Sequence, residues 1–185
     1  VLCVMMRSTI LGRLIPRINP QQHNPSFQFA LLPSFSALHS SSATFDAAAY
    51  LAQHEISVSR AAPSPLQSFN ESGLPERLTE KLSKDFPSPT PIQAQGLPIV
   101  LGGENLVGIA QTGSGKTLAF LLPALAYLSN TRDEHNDGRY KGPRALILAP
   151  TRELAKQIEE VAVQFRRLAG IKTVCCIGGE SRNRQ

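Results

Sequence analysis

The segment whose chemistry is clearest is a glycine-rich run that ends in a lysine and a threonine, Ala110-Gln111-Thr112-Gly113-Ser114-Gly115-Lys116-Thr117. It follows the P-loop pattern G-x-x-x-x-G-K-[ST], with Ala110 in place of the first glycine. Glycines let successive backbone N–H groups turn toward an anion, and a following helix adds its own N–H groups and dipole. Lys116 supplies an ammonium for the β- and γ-phosphates, and Thr117 a hydroxyl for Mg²⁺. The segment predicts a nucleotide-binding loop with Lys116 and Thr117 as its catalytic pair, although a Gly-Ser turn with a chance lysine is the plainer alternative.

A second polar pattern lies about 20 residues before this loop, in Asp85-Phe86-Pro87-Ser88-Pro89-Thr90-Pro91-Ile92-Gln93. The amide of Gln93 carries a donor and an acceptor, so it can pair with the N6 and N7 edge of adenine. Phe86 can stack on the purine face. Two plainer interpretations stay open, because Thr90-x-x-Gln93 is also a capping box and Phe86 can be a core residue.

Together these segments resemble the DEAD-box family of ATP-dependent RNA helicases. Phe86 to Gln93 resembles the family's Q motif, with Phe69 as its isolated upstream aromatic, and Ala110 to Thr117 resembles motif I. Asp85 stands where the family usually has glycine, which can alter the turn before Phe86. The resemblance implies binding of ATP with Mg²⁺ on Thr117. The nucleotide-binding residues that it implies are Phe69, Phe86, Gln93, Ala110, Gln111, Thr112, Gly113, Ser114, Gly115, Lys116 and Thr117.

Two further segments extend the resemblance to RNA. Pro150-Thr151-Arg152-Glu153-Leu154 resembles motif Ia, and Gly178-Gly179 resembles the family's glycine pair. The resemblance implies that Pro150, Thr151, Arg152, Gly178 and Gly179 contact the RNA backbone, which positions a strand without reading its sequence. From the residues alone, Thr151 is a helix cap, Arg152 a solvated charge and the glycine pair a turn.

Alternating helices and apolar strands must position these residues. Leu74, Leu78 and Leu82 recur with helical spacing, and Thr90-Pro91 opens a second helix. The elements that follow are a buried strand at 106–109, a helix from Lys116 to Leu128 kinked at Pro123, a second buried strand at 145–149, a helix closed by Gly170 and a third strand at 172–177. Strands that alternate with helices predict a parallel sheet.

The fold class is therefore α/β: a partial RecA-like P-loop NTPase domain with a parallel sheet, preceded by a disordered N-terminal segment. Residues 1–60 are expected to be a low-order leader and linker, with a short helix or strand within 47–58 and an extended stretch at 61–67. Residues 61–185 are expected to form the partial first RecA-like domain, and 130–142 a surface loop.

Composition excludes several classes of protein. Among 185 residues, 19 Lys and Arg against 14 Asp and Glu give a net charge of +5, which suits a polyanion partner. The hydrophobic fraction of 42% excludes wholesale disorder, and no apolar run is long enough to span a membrane. Three cysteines, two of them adjacent, exclude a disulfide framework and make a structural zinc site improbable.

The first 45 residues contain Arg7, Arg13 and Arg17, seven serines and no acidic residue. This is the composition of an organelle transit peptide, which favours a mitochondrial or plastid location. A disordered tail, with the protein in the nucleus or cytoplasm, fits equally well.

Hydrolysis of ATP needs carboxylates that hold Mg²⁺ and orient water, and no Asp-Glu pair follows a predicted strand after Thr117. Glu180 has no neighbouring carboxylate and is expected to be a solvated loop charge. By the resemblance, the chain stops before the Asp-Glu-Ala-Asp motif and the second RecA-like domain. The expected function is the N-terminal ATP-binding part of a helicase that unwinds or remodels RNA, as a fragment that binds weakly without turnover. A non-catalytic nucleotide- or RNA-binding module, a kinase and a GTPase are the alternatives.

Overall fold

The computed structural model describes residues 2–6, 45–130 and 142–181. Two strands and five α-helices follow one another in these ranges, with a single 3-10 turn between α1 and α2. They are β1 (Leu2–Met6), α1 (Ala47–Gln53), the 3-10 turn (Phe69–Glu71), α2 (Glu76–Asp85), α3 (Pro91–Leu101), β2 (Leu106–Ala110), α4 (Lys116–Asn130) and α5 (Arg152–Ala169).

The helix predictions are confirmed, and their ends follow from local chemistry. Thr90 is the N-cap of α3 and Pro91 its first residue, where a proline has no intrahelical N–H to lose. Thr151 caps α5 by accepting from the N–H of Leu154 at 3.2 Å. Gly170 ends α5 at φ +64, a left-handed conformation that favours glycine.

The hydrophobic core lies where α2, α4 and α5 meet. Leu78 and Leu82 from α2, Leu122 from α4 and Phe165 from α5 are each at most 2% exposed. The helix α4 is continuous through Pro123, which is itself buried in this core. Burial of these helix faces fixes the end of β2 and the start of α4. It therefore also fixes the loop that joins them.

The prediction of a parallel sheet is wrong for the residues that the structure describes. Their sheet has two strands, and β1 pairs with β2 antiparallel, from Leu2 opposite Ala110 to Met6 opposite Leu106. The strand expected at 106–109 is confirmed as β2, but it is not buried, since Val107 is 54% and Ile109 71% exposed. The strands expected at 145–149 and 172–177 do not form among the described residues, because neither segment pairs with a second strand, and a strand needs such pairing. The expectation that 145–149 is buried is wrong too, since Leu146 is 67% and Leu148 83% exposed.

Of the N-terminal 60 residues, the structure describes 2–6 and 45–60, which contain one strand and one helix; the rest of the predicted leader lies outside the described residues. The apolar run Leu2–Met6 pairs with the edge of β2. The alanine-rich α1 is capped by Asp46, whose Oδ1 accepts from the N–H of Ala49 at 3.0 Å. Residues 61–67 form neither helix nor strand, and they contact α3, since the N–H of Leu66 donates to the carbonyl of Ala94 at 3.0 Å.

Two further points concern the loop after α4 and the length of the apolar helices. Most of the predicted loop at 130–142 lies outside the described residues. Among the helices that the structure does describe, none combines the length and the hydropathy needed to cross a bilayer.

Candidate nucleotide and RNA sites

The predicted phosphate loop lies between a strand and a helix, as its chemistry requires. It leaves β2 at Ala110 and enters α4 at Lys116. Gly113 and Gly115 have φ values of +81 and +87, which side-chain-bearing residues rarely adopt. The first N–H groups of α4 have no intrahelical acceptor, so the helix presents donors and the positive end of its dipole to the loop. This is the geometry of an anion-binding cradle.

Two side chains from the start of α3 hold this loop in place. The hydroxyl of Thr90 donates to the carbonyl of Ser114 at 2.8 Å, and the Nε2 of Gln93 donates to the carbonyl of Gly115 at 3.0 Å. A peptide unit is planar and trans, so a carbonyl and the N–H that follows it point in opposite directions. Because the two carbonyls face α3, the N–H groups of Gly115 and Lys116 face away from α3. Thr90 and Gln93 thereby orient the peptide groups of the phosphate loop.

Gln93 also closes a capping box. Its Oε1 accepts from the backbone N–H of Thr90 at 3.1 Å, and the residue as a whole is 4% exposed. The capping role that the sequence left open is therefore observed. An amide has two N–H donors and two acceptor lone pairs, so one of each remains after these two bonds. Reading of adenine by Gln93 stays a prediction.

The ammonium of Lys116 lies inside the loop. It donates to the carbonyl of Ala110 at 2.7 Å, to the carbonyl of Gln111, and to the hydroxyl of Ser114 at 3.3 Å. Residue Lys116 is 8% exposed, so these oxygens replace its water. A phosphate group that entered the cradle would replace these carbonyls as the partner of the Lys116 ammonium, because an ammonium binds an anionic oxygen more strongly than a neutral carbonyl.

Phe86 is accessible to solvent, and its stacking on a base stays a prediction. It follows the last residue of α2, has an extended backbone, and is 40% exposed. Asp85 does not form a turn there. It completes α2 and pairs with the ammonium of Lys81 one turn earlier at 2.6 Å. This pair compensates a negative charge at a helix C-terminus, where it is otherwise unfavourable.

The prediction that Phe69 contacts the nucleotide is corrected by its surroundings. Phe69 is 2% exposed and belongs to the hydrophobic core with Leu74 and Leu78. Its ring is apolar, and the 3-10 turn Phe69–Glu71 points it inward. In this conformation it supports α2 by packing and lies out of reach of a ligand.

The predicted RNA-contacting residues converge on one place. The guanidinium of Arg152 lies over the glycine pair, because a Cβ built on Gly179 would be 3.1 Å from one of its nitrogens. Gly179 has φ +88, so two features of this turn require glycine. Thr151 caps α5 at the same corner, and Pro150 precedes it. The structure thus brings Arg152 and Gly178–Gly179 together.

Sequence reasoning missed a charged cluster beside this corner. The ammonium of Lys156 lies 3.7 Å from Oε1 of Glu180, which the sequence suggested was merely a solvated loop charge. Partial burial raises the pKa of the Cys175 thiol, with the carboxylates of Glu159 and Glu180 adding to the effect. These residues surround a cavity of about 260 Å³. The helical spacing of Arg152 and Lys156, four residues apart, was the available signal.

The hydroxyl of Thr117 is the predicted magnesium ligand. Thr117 is half-buried in the first turn of α4, at the mouth of the loop. Within 45–130 and 142–181, no group of three or more His, Cys, Asp or Glu side chains forms a metal-binding cluster. Binding of Mg²⁺ by the hydroxyl of Thr117 stays a prediction.

Comparison with known proteins identifies the family. The sequence pattern of the DEAD/DEAH box helicase family matches residues 90–185, which is just over half of the chain. The chain belongs to the DEAD/DEAH box helicase family. This confirms the resemblance inferred from the Q motif and motif I.

Two relatives of this chain are both named as ATP-dependent RNA helicases. It is 50% identical over 139 residues to DEAD-box ATP-dependent RNA helicase 14 of Arabidopsis thaliana, covering 74% of this chain and 22% of that protein. It is 47% identical over 128 residues to human probable ATP-dependent RNA helicase DDX23, covering 66% of this chain and 15% of that protein. The chain thus spans less than a quarter of either relative.

A solved structure supports the fold class. The RNA helicase Prp28 from Chaetomium thermophilum, bound to ADP, superposes with a TM-score of 0.59 at 47% identity, covering 66% of this chain and 30% of that chain. The partial RecA-like α/β class is confirmed by this likeness, although the parallel pairing of strands is not seen among the described residues.

Proposed function

We propose that this chain supplies the ATP-binding loop and part of the RNA-binding surface of an ATP-dependent RNA helicase that unwinds or remodels RNA. The observation that carries the proposal is the pair of hydrogen bonds from Thr90 and Gln93 to the carbonyls of Ser114 and Gly115. Through them, the segment that would recognise the base is joined directly to the segment that would hold the phosphates.

The residues present fit a nucleoside triphosphate with Mg²⁺. The cradle has two glycines at positive φ, and the space where a Gly113 Cβ would stand is open. Lys116 would neutralise the phosphates, and the hydroxyl of Thr117 would bind the cation, whose chemistry is to offset charge on the β- and γ-oxygens. Gln93 and the exposed ring of Phe86 would bind the adenine. Gln111, Thr112 and Ser114 complete the loop.

The RNA part of the proposal rests on Arg152 and the glycine pair. A guanidinium offers several N–H donors in one plane and suits phosphate oxygens. The turn at Gly178–Gly179 has no side chains, so a backbone can approach Arg152 closely there. Such contacts hold a strand regardless of its base sequence, which suits a general remodelling enzyme.

We also propose that the chain by itself binds ATP without efficient turnover. Phosphoryl transfer to water needs a group that orients the water as well as a cation site. Glu153, Glu159 and Glu160 lie on α5 rather than in the phosphate loop, and Glu159 and Glu160 line the charged corner. Phosphate release stimulated by RNA, and lost in Lys116→Ala, would overturn this part.

The test of the central proposal is a titration of the full chain with ATP and MgCl₂ by calorimetry. We expect binding that Lys116→Ala weakens strongly, while the matched control Lys172→Ala, an exposed lysine outside the loop, leaves it unchanged. Binding that survives Lys116→Ala undiminished would contradict the phosphate-loop assignment.

A second candidate, a P-loop kinase or GTPase, shares the phosphate loop but not the segment before it. The hydrogen bond from the Nε2 of Gln93 to the carbonyl of Gly115 gives the loop a base-side partner whose amide suits adenine. A GTPase would bind GTP in preference to ATP, and a kinase would transfer phosphate to a small acceptor. We expect neither behaviour.

The acid-free leader adds a proposal about location. Because residues 1–45 carry arginines and serines without acidic residues, we propose that they direct the protein to a mitochondrion or a plastid. A fluorescent protein fused after residue 60 should enter the organelle, and diffuse cytoplasmic or nuclear fluorescence would contradict the proposal.

A further inference from the structure

We propose that Lys156 is an additional RNA phosphate contact, and that Glu180 is a built-in competitor that occupies Lys156 when RNA is absent. The inference rests on the proposed function, because it needs an RNA backbone at Arg152 and the glycine pair. It goes beyond that function by naming a charge pair that sets how tightly this surface holds RNA.

The first argument is helical geometry. Arg152 and Lys156 are four residues apart on α5, so their side chains project from the same face, about 6 Å apart along the axis. Both meet the turn that follows 172–177. The guanidinium of Arg152 lies over Gly179, and the ammonium of Lys156 lies 3.7 Å from the carboxylate of the next residue, Glu180. A strand bound by Arg152 therefore passes beside Lys156.

The second argument is that the pair can exchange. The side chains of Lys156 and Glu180 are 53% and 50% exposed, and exposed ion pairs are weak because water screens them and both chains lose freedom. A phosphate group brings a full negative charge and displaces the carboxylate at little cost. Glu180 then stands as an unpaired negative charge near the bound strand.

The third argument is the local excess of negative charge. Among the described residues that line the cavity beside Cys175, the carboxylates of Glu159, Glu160 and Glu180 face one cation, Lys156. The thiol reports this field, since its pKa is raised by partial burial, by Glu159, by Cys176 and by Glu180, and is lowered only by Lys156. Removing Glu180 both frees Lys156 and reduces the repulsion of a phosphate.

The experiment measures binding of fluorescein-labelled oligouridine to the full chain by anisotropy, over a series of KCl concentrations. Glu180→Gln is expected to bind roughly fivefold more tightly, the effect of one unit charge at about 4 Å in water. Lys156→Ala is expected to bind more weakly and to reduce the salt slope by about one. In Lys156→Ala, the added Glu180→Gln should gain less than it gains alone. Lys84→Ala and Glu104→Gln, exposed charges elsewhere, are matched controls that should change nothing.

The outcomes separate this inference from the proposed function. If Arg152→Ala weakens binding but neither Lys156→Ala nor Glu180→Gln changes it, the charge-pair inference is wrong and the RNA surface stands. If the unsubstituted chain binds no RNA, or Arg152→Ala changes nothing, the RNA surface itself is wrong and the inference falls with it.

A second measurement tests the placement of Glu180 without RNA. In a chain carrying Cys3→Ser and Cys176→Ser, which leaves Cys175 as its one cysteine, the rate of alkylation by iodoacetamide is followed against pH. Glu180→Gln should move the midpoint to lower pH, because one of the carboxylates that raise the thiol pKa has lost its charge. An unchanged midpoint, equal to that of Glu104→Gln, would overturn the proposed arrangement.

Discussion

Replacing Gly115 by alanine tests whether the Q-motif segment holds the phosphate loop. The new Cβ would press against the Nε2 of Gln93 and lie 2.8 Å from the Oγ1 of Thr90. It would also sit at φ +87, and such backbone strain costs on the order of 1–3 kcal/mol. Loss of the two hydrogen bonds to the loop adds about 0.5–1.5 kcal/mol each. We expect a total destabilisation of about 2–6 kcal/mol from these terms.

Gly113→Ala is the matched control, because it shares the strain without the contacts. Gly113 has φ +81 and nothing within 4 Å of the position of a Cβ. Its cost should be the strain alone, so Gly115→Ala should be worse by about 1–3 kcal/mol. The assay is urea unfolding followed by far-ultraviolet circular dichroism, since the chain has no tryptophan to serve as a fluorescent probe. Equal unfolding free energies for the two variants would refute the reasoning. So would an additive effect of Gly115→Ala and Thr90→Ala, because a shared contact predicts coupling.

Three further changes probe the loop and the core. Lys116→Ala should weaken ATP binding about 10- to 100-fold by calorimetry, the worth of a hydrogen bond to a charged group, and unweakened binding would contradict its role. Gln93→Glu keeps an acceptor for the N–H of Thr90 but places an acceptor against the carbonyl of Gly115. It should destabilise the fold by about 1–3 kcal/mol in urea, and no loss would show that the loop contact is dispensable. Phe165→Ala should cost about 3–5 kcal/mol in the same assay and Phe165→Leu clearly less, because the ring is 2% exposed in the core, and equal costs would exclude a cavity effect.

Local chemistry made the helices predictable. Thr90 and Pro91 specify a helix start by their own hydrogen-bonding capacity, and Gly170 specifies an end by its backbone freedom. The spacing of Leu78 and Leu82 indicates that one face of the helix is buried, whichever element packs against it. Each signal is contained within a few residues, so the sequence displays it directly.

The sheet was less predictable because strands depend on distant partners. The segments 145–149 and 172–177 have the apolar composition of buried strands, yet neither pairs with a second strand among the described residues. Conversely, Leu2–Met6 pairs with β2 although nothing in its own composition names that partner. Composition indicates that a segment can be a strand, and only the fold decides whether it is one.

In the candidate site, too, local motifs were predictable from the sequence and long-range contacts were not. The phosphate loop is a contiguous motif, so Lys116 and Thr117 could be named from the sequence. The hydrogen bond from Thr90 to Ser114 joins residues 24 apart, and the Lys156–Glu180 pair joins a helix to a turn. Such long-range contacts depend on how the elements pack, which is why Thr90 was assigned only a capping role and Glu180 only a solvated one.

The most direct test of the account is the ratio of ATP to GTP affinity, measured by calorimetry with MgCl₂ on the unsubstituted chain and on Gln93→Ala. If Gln93 and the loop around Lys116 form one nucleotide site, the unsubstituted chain prefers ATP, and Gln93→Ala loses most of that preference while retaining weakened binding of both nucleotides. Equal affinity for ATP and GTP in the unsubstituted chain, or a preference that Gln93→Ala leaves intact, would contradict the account.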